Sequence, residues 1–203
     1  MNPKKANEIR MKKLSEVFAK SMYEDPMYYY IFNDWELNQH YFTKFWQAIL
    51  KYSEKFGSII TTADDSGVLC LLPPDHINFS FLDLFRTGFK IPRSISRFPY
   101  KQAKITFDIM MKLGVFQTTL IKEPHWYLIS LGVLPEEQGK GKGKSLLTEA
   151  LRIVDEDNKS VYLETETIKN VNLYEKFGFK TVKEIAIKEY GLTYYLMLRD
   201  SQN

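Results

Sequence analysis

The chain has 203 residues, 44% hydrophobic and 15% aromatic, enough to bury a substantial core in one or two domains. Its 28 Lys and Arg against 25 Asp and Glu leave a formal charge of +3, too slight to indicate a nucleic-acid surface. The single cysteine, Cys70, excludes an intrachain disulfide and a cysteine-based zinc site.

The N-terminal segment mixes Lys4, Lys5, Glu8, Arg10, Lys12 and Lys13 without a continuous apolar stretch, so no signal peptide is expected. No run elsewhere approaches bilayer length, which predicts a soluble, cytoplasmic chain. Ile9, Leu14, Val17, Phe18 and Met22 recur at helical spacing, as do Leu37, Tyr41, Phe45, Ile49 and Tyr52; two amphipathic helices should open the chain, punctuated by Pro26 and Asn33-Asp34. Residues 58–63 and 68–72, separated by Asp64-Asp65-Ser66-Gly67 and stopped by Pro73-Pro74, read as a β-hairpin that begins a central sheet. Cys70 lies among Val68, Leu69 and Leu71, as a buried core thiol would.

From Phe79 to Leu120 the pattern is helical again, with a capping-box signal at Ser80 and Asp83 and breaks near Pro92 and Pro99. A strand at 127–133, a helix around 146–154, a strand at Val161, a short helix at Asn170 and strands near 179–187 and 193–198 complete a mixed α/β order. We read one domain over residues 1–203, with residues 76–124 as a helical insertion.

Between the strand at 127–133 and the next helix lies Gln138-Gly139-Lys140-Gly141-Lys142-Gly143-Lys144. Glycines permit backbone angles closed to other residues, and a helix start offers unpaired N–H groups and a positive dipole end, which together can cradle a phosphate. The same composition also suits an exposed, lysine-rich turn. Neither common phosphate pattern fits. A P-loop needs glycine where Gln138 stands, and G-x-G-x-x-G needs glycine at Lys144 or at Leu146.

What the stretch does match is Q/R-x-x-G-x-G/A, through Gln138, Gly141 and Gly143, and here it resembles the acetyl-CoA loop of the Gcn5-related N-acetyltransferases. The resemblance covers roughly His125 to Arg199. Leu131-Gly132-Val133-Leu134-Pro135-Glu136 looks like the end of the family's fourth strand, Val161-Tyr162-Leu163-Glu164-Thr165 like its fifth, and the segment from Asn170 to Phe179 like the helix and turn that follow. The implied fold is a GNAT-like, mixed and mostly antiparallel sheet flanked by helices, with the helical insertion between the third and fourth strands. The family's first strand has no clear counterpart before the opening helix, unless Met1 to Lys5 supplies one.

The resemblance implies acetyl-CoA as the acyl donor and an amine-bearing acceptor. Leu131, Gly132 and Val133 would pair with the pantetheine arm, and Gln138, Gly139, Lys140, Gly141, Lys142, Gly143, Lys144 and Ser145 would receive the pyrophosphate. Asn170 and Tyr174, four residues apart on one helix face, match an asparagine that bonds the arm and a tyrosine that protonates the departing thiolate. Tyr174 could equally be a packing aromatic beside Leu173 and Phe177. Strand alternation puts Tyr162, Glu164 and Glu166 on one face, so Glu164, with Glu166 as a substitute, could deprotonate the amine through a water. A backbone N–H near Val133 would stabilise the oxyanion.

His40, His76 and His125 show no metal-ligand spacing, and no metal is expected. The insertion mixes Phe81, Phe85, Phe89, Phe98 and Tyr100 with Arg86, Lys90, Arg93, Arg97, Lys101 and Lys104. That mixture reads as a helical cover whose aromatics pack on the sheet and whose cations face water, with an aromatic pocket wall, an acidic-partner surface or a membrane-facing helix as the alternatives. The rival functions are a non-catalytic acyl-CoA sensor, a phosphate-loop nucleotide-binding protein and a nucleic-acid module; no nucleic-acid partner is expected, and a homodimer is left open.

Overall fold

The computed structural model describes residues 3–31, 35–77 and 100–202. Three helices come first: α1 (Pro3–Ser21), α2 (Pro26–Ile31) and α3 (Trp35–Phe56). Met11, Leu14, Val17 and Phe18 of α1 are buried at helical spacing, whereas Ile9, expected on the same face, is 53% exposed. The helix therefore presents a face rotated from the one that Ile9 suggested, with Met11 in its place. The helical start at Pro3 also removes the short strand considered for Met1 to Lys5.

The hairpin forms as β1 (Ser58–Thr61) and β2 (Gly67–Leu72), with Ser58 opposite Leu71 and Thr61 opposite Val68. After a 3-10 turn at Pro74–His76, description resumes with α4 (Tyr100–Leu120). The capping signal at Ser80 and Asp83, and the aromatic and cationic residues from Phe81 to Phe98, lie outside the described residues. Then follow β3 (Trp126–Val133), a 3-10 turn at Pro135–Glu137, α5 (Lys142–Glu156), β4 (Val161–Thr165), α6 (Ile168–Glu175), β5 (Lys180–Ile187) and β6 (Leu192–Arg199). Among the described residues α4 falls between β2 and β3.

Six strands make one sheet in the order β1-β2-β3-β4-β6-β5. Every pairing is antiparallel except that of β3 with β4, so the sheet is mixed and mostly antiparallel, flanked by helices. Side-chain alternation divides the core between its two faces. Val68, Cys70, Leu72, Tyr162, Tyr194 and Leu196 pack toward Phe18 of α1 and Trp46 and Ile49 of α3. Leu69, Leu71, Leu163 and Met197 pack on the other side against Leu147, Leu151 and Val154 of α5 and Phe179. Burial holds the Cys70 thiol up at about 12, an inert thiol at neutral pH. Arg199 of β6 grips Asp155 of α5 with both nitrogens, at 2.6 and 3.0 Å. No described helix is long and apolar enough to cross a membrane.

The one parallel pair positions everything that follows. β3 and β4 pair only at Trp126–Val161 and Tyr127–Tyr162. Just beyond, Leu128 opposes Leu71 and Ser130 opposes Cys70, leaving Ile129 as an extra residue on β3. Such a bulge bends its strand, and here it accompanies the departure of β3 from β4.

Where β3 runs on past the bulge, α1 lies directly on it. A methyl on Gly132 would sit 2.3 Å from Ser21 Oγ and 2.9 Å from Phe18 Cδ1, and the Phe18 ring is fully buried and stacked on Trp46 at 4.6 Å. Gly132→Ala is therefore expected to cost about 1–3 kcal/mol of stability by overpacking. Gly114→Ala, in mid-α4 with nothing within 4 Å of the added carbon, should gain roughly 0.5–1 kcal/mol. Urea midpoints of the two variants against the parent give the comparison.

Candidate active site

Parting of two neighbouring strands leaves a row of backbone groups without a ladder partner. Leu134 N–H bonds to the Ser66 carbonyl at 2.9 Å. By the alternation of an antiparallel ladder, Gly132 faces β2 as well, and the N–H groups of Leu131 and Val133 face the open edge. That edge can accept an extended, amide-containing ligand as a further strand would be accepted.

β3 leads into the glycine loop. Gly139 and Gly141 have φ of +76° and +81°, the left-handed region that strains other residues, and added carbons there would meet nothing within 4 Å. Gly141 is the N-cap of α5 and supplies no side-chain cap. The first bond inside the helix runs from Ser145 N–H to the Gly141 carbonyl at 3.0 Å, so the N–H groups of Lys142, Gly143 and Lys144 have no helical acceptor. Three convergent donors at the positive end of a helix form an anion cradle. The close approach of this helix to β3 is visible at Gly143, where an added carbon would lie 3.6 Å from Leu131 Cδ2.

The lysines divide unequally around this cradle. Lys142 Nζ turns away to Asp64 Oδ2 at 2.5 Å, Glu137 Oε2 at 2.7 Å and Ser66 Oγ at 2.7 Å. The bond from Lys142 foremost, with those that Ser66 and Thr62 donate, holds the Asp64 carboxyl well below its ordinary range. Lys140 pairs with Glu137 at 2.9 Å. Lys144 has no ion pair among the described residues and is the lysine left to meet an anion. The Gln138 side chain donates to the Val133 carbonyl at 3.1 Å, so it braces the loop against β3.

The open angle between β3 and β4 encloses a cavity of about 130 Å³. Asn170 and Tyr174 both line it from α6, a helix capped by Thr167, whose side chain accepts from Asn170 N–H. The Asn170 amide donates to Thr165 Oγ1 at 3.1 Å. Tyr174 joins both of its alternative roles: its ring packs on Phe179 at 5.6 Å, and it also forms part of the cavity wall. Burial raises its hydroxyl pKa above the ordinary value, favouring the protonated, donor form.

Across the cavity, Glu164 accepts a hydrogen bond from Tyr127 OH at 3.2 Å. Its carboxyl is surrounded by protein, yet the residue keeps some surface open into the cavity. Burial pushes its pKa up to about 7, partly opposed by the Tyr127 bond. Glu166 lies just past the end of β4 and is also raised, by burial and then by the charge of Asp25. Asp25, in turn, is raised by burial and hydrogen-bonded to Glu166.

Asp25 escaped the sequence reading, as did Tyr28, Trp46 and Tyr194, which line the same cavity. Asp25 caps α2, accepting from Met27 N–H at 3.1 Å. An Asp directly before Pro is the residue order of a helix start, and that signal was available at Asp25-Pro26. The histidines stay apart from the cavity. His125 is buried beneath β3, within 3.1 Å of Gln117 Nε2 and 2.8 Å of the Glu123 carbonyl, and His76 stacks on Phe56 at 4.6 Å. The described residues hold no cluster of three metal-ligating side chains.

An open strand edge thus leads into a helix-end anion cradle, with a polar cavity alongside. The model of the acetyltransferase (GNAT) family matches residues 103–179. An uncharacterized N-acetyltransferase of Schizosaccharomyces pombe is 24% identical over 180 residues, 83% of this chain and 70% of its own. The same fold occurs in a Corynebacterium glutamicum structure described as histone acetyltransferase HPA2 and related acetyltransferase, with a TM-score of 0.63, 17% identity, and 97% of this chain and 93% of that one covered. It occurs again in arylalkylamine N-acetyltransferase 2 of Aedes aegypti, with a TM-score of 0.61, 11% identity and 96% of each chain covered. The chain is thus similar to the GNAT acetyltransferases over residues 103–179, and it shares its fold with these two solved structures.

Glu164 also yields a stability test. Its proton is held more tightly in the folded chain than at the ordinary value of 4.5, so its contribution is fully present below that value and fades as pH rises through about 7. Glu164→Gln removes the titration. The variant should gain about 1–3 kcal/mol relative to the parent on going from pH 5 to pH 8, read from urea midpoints at the two pH values.

Proposed function

We propose that the protein is an N-acetyltransferase that moves an acetyl group directly from acetyl-CoA to a primary amine, both substrates being bound together. The observation that carries this reading is Glu164, a cavity carboxylate whose pKa near 7 lies close to the value at which a general base works best at neutral pH. The residues around it fit the donor. Leu131 and Val133 offer N–H groups to the amides of an extended arm, and the backbone of 142–144 offers donors to a pyrophosphate. Gly141 leaves free the space that a side chain would take.

An alkylammonium entering the cavity has no lone pair until it loses a proton, which Glu164 takes directly or through one water. The amine nitrogen then forms its bond to the thioester carbon as the carbonyl oxygen becomes an oxyanion. The Val133 N–H on the open edge is the donor placed to meet that charge. Collapse breaks the carbon–sulfur bond, the sulfur leaves with a proton from the Tyr174 hydroxyl, and the second nitrogen proton restores that hydroxyl through solvent. The balance is ammonium plus acetyl-CoA giving acetamide, free CoA thiol and one proton. No covalent enzyme intermediate is required.

The chain's expected span as one domain, with residues 76–124 as an insertion between β2 and β3, belongs to the same proposal. In it α4 closes the acceptor side, contributing Met110 and Leu113 to the cavity wall.

Calorimetry should show binding of acetyl-CoA and CoA in preference to ATP, and Gly141→Glu should abolish it while circular dichroism stays that of the folded protein. Tyr174→Phe should lower kcat about a hundredfold or more with acetyl-CoA affinity retained, by thiol release against an amine panel. Wild-type kcat/KM should rise with pH to half-maximum near pH 7, and Glu164→Gln should lose that limb. A folded protein that binds acetyl-CoA yet releases no thiol with any amine would be a sensor and would overturn the reading.

A further inference from the structure

The acceptor cavity holds more carboxyl groups than one amine needs. Besides Glu164, it is lined by Asp25 and Glu166, which hydrogen-bond to each other. No Lys, Arg or His lies among the described residues of its wall. Carboxylates held inside protein are costly unless a cation or a proton accompanies them, and the wall supplies no cation.

One further polar group stands unmatched at the same wall. The Trp46 indole N–H belongs to a residue only 2% exposed and has no hydrogen-bond partner among the described residues. Buried polar groups are ordinarily satisfied, so such an orphan marks a place where a ligand or water belongs. Glu166 is the charge that acts most strongly on Tyr194. Tyr28, Phe45 and Trp46 form an aromatic wall with ring centroids 5.2–6.2 Å apart, and aromatic faces attract cations.

The cavity thus offers two separate positions for positive charge: Glu164 with Tyr127, and the Asp25–Glu166 pair with Tyr194. Its volume of about 130 Å³ is close to that of a cavity that holds benzene, so the ligand it suits has about six heavy atoms.

We infer that the acceptor is a short aliphatic diamine, whose reacting amine meets Glu164 while its second ammonium group rests on the Asp25–Glu166 pair against the aromatic wall. This rests on the acetyltransferase reading and adds the class of substrate to it. Only one nitrogen is acetylated; the other keeps its proton and its charge. Asp25 and Glu166 are here substrate-binding groups, and they take no part in the bond changes.

The probes are 1,4-diaminobutane and 1-aminopentane, which have the same number of heavy atoms and differ by an ammonium group in place of a methyl group. Thiol release should give the diamine at least a hundredfold advantage in kcat/KM with the wild-type protein. Asp25→Asn, which keeps an N-cap side chain, and Glu166→Gln should each narrow that ratio below tenfold. The ratio is measured within one preparation, so a partly folded variant does not distort it. Equal use of the two amines by the wild type, or a ratio that neither substitution changes, overturns the diamine assignment and leaves acetyl transfer intact. Acetyl-CoA binding without transfer to either probe or to any amine of the panel overturns both.

Discussion

Two strands that begin as neighbours and then part are the constraint on which this molecule depends. Tyr127 and Tyr162 form the last rung of the parallel ladder, and Ile129 is the surplus residue that lets β3 bend while its antiparallel contact with β2 resumes at Ser130. A sheet normally excludes ligands from its middle because every backbone group there is already bonded. Parting creates at one stroke an unpaired edge on β3 and a cleft deep enough for the side chains of β4 to face a substrate. Had the ladder continued, Leu131 and Val133 would be closed to a ligand and Glu164 would sit in a sealed core.

The two halves of the site rest on opposite faces of the sheet. The anion cradle belongs to α5, which is seated by Leu147, Leu151 and Val154 on the side of Leu69 and Leu163. The acceptor cavity belongs to the other face, where Trp46 and Phe18 are buried with Tyr194 and Tyr162. Glu164 and Tyr174 meet from these two sides across the gap. Residues of the acceptor wall on α2, α3 and α4 can therefore change without disturbing the packing that holds the cradle.

Residues close in sequence were the ones legible before the fold was known. The glycine loop, the Asn170–Tyr174 pair and the alternation of Tyr162, Glu164 and Glu166 are local patterns; Asn170, Tyr174, Glu164 and Glu166 line one cavity, whereas Tyr162 is buried in the core and the loop lies at the head of α5. The parting itself could not be read, because nothing in Tyr127 to Val133 states where the partner strand will leave. Nor could the acceptor wall, which gathers Asp25, Trp46 and Tyr194 from three distant segments. Lys142 was misleading in another way: composition offered it as a phosphate contact, whereas the fold brings Asp64 and Glu137 to it. Ile9 shows the limit of periodicity, since it lies off the stripe that buries Met11, Leu14, Val17 and Phe18.

The turn between β1 and β2 gathers cations from two directions. Arg10 and Lys13 of α1 reach Asp65 at 2.9 and 3.7 Å, and Lys142 at the head of α5 reaches Asp64. Exposed pairs of this kind are individually weak and are screened by dissolved salt. Ionic strength consequently acts on the donor loop twice: it shields the phosphates from Lys144, and it loosens the ties by which the hairpin turn and α1 steady the start of α5. The steepness of a salt titration of CoA binding would then exceed what a count of phosphate contacts alone implies.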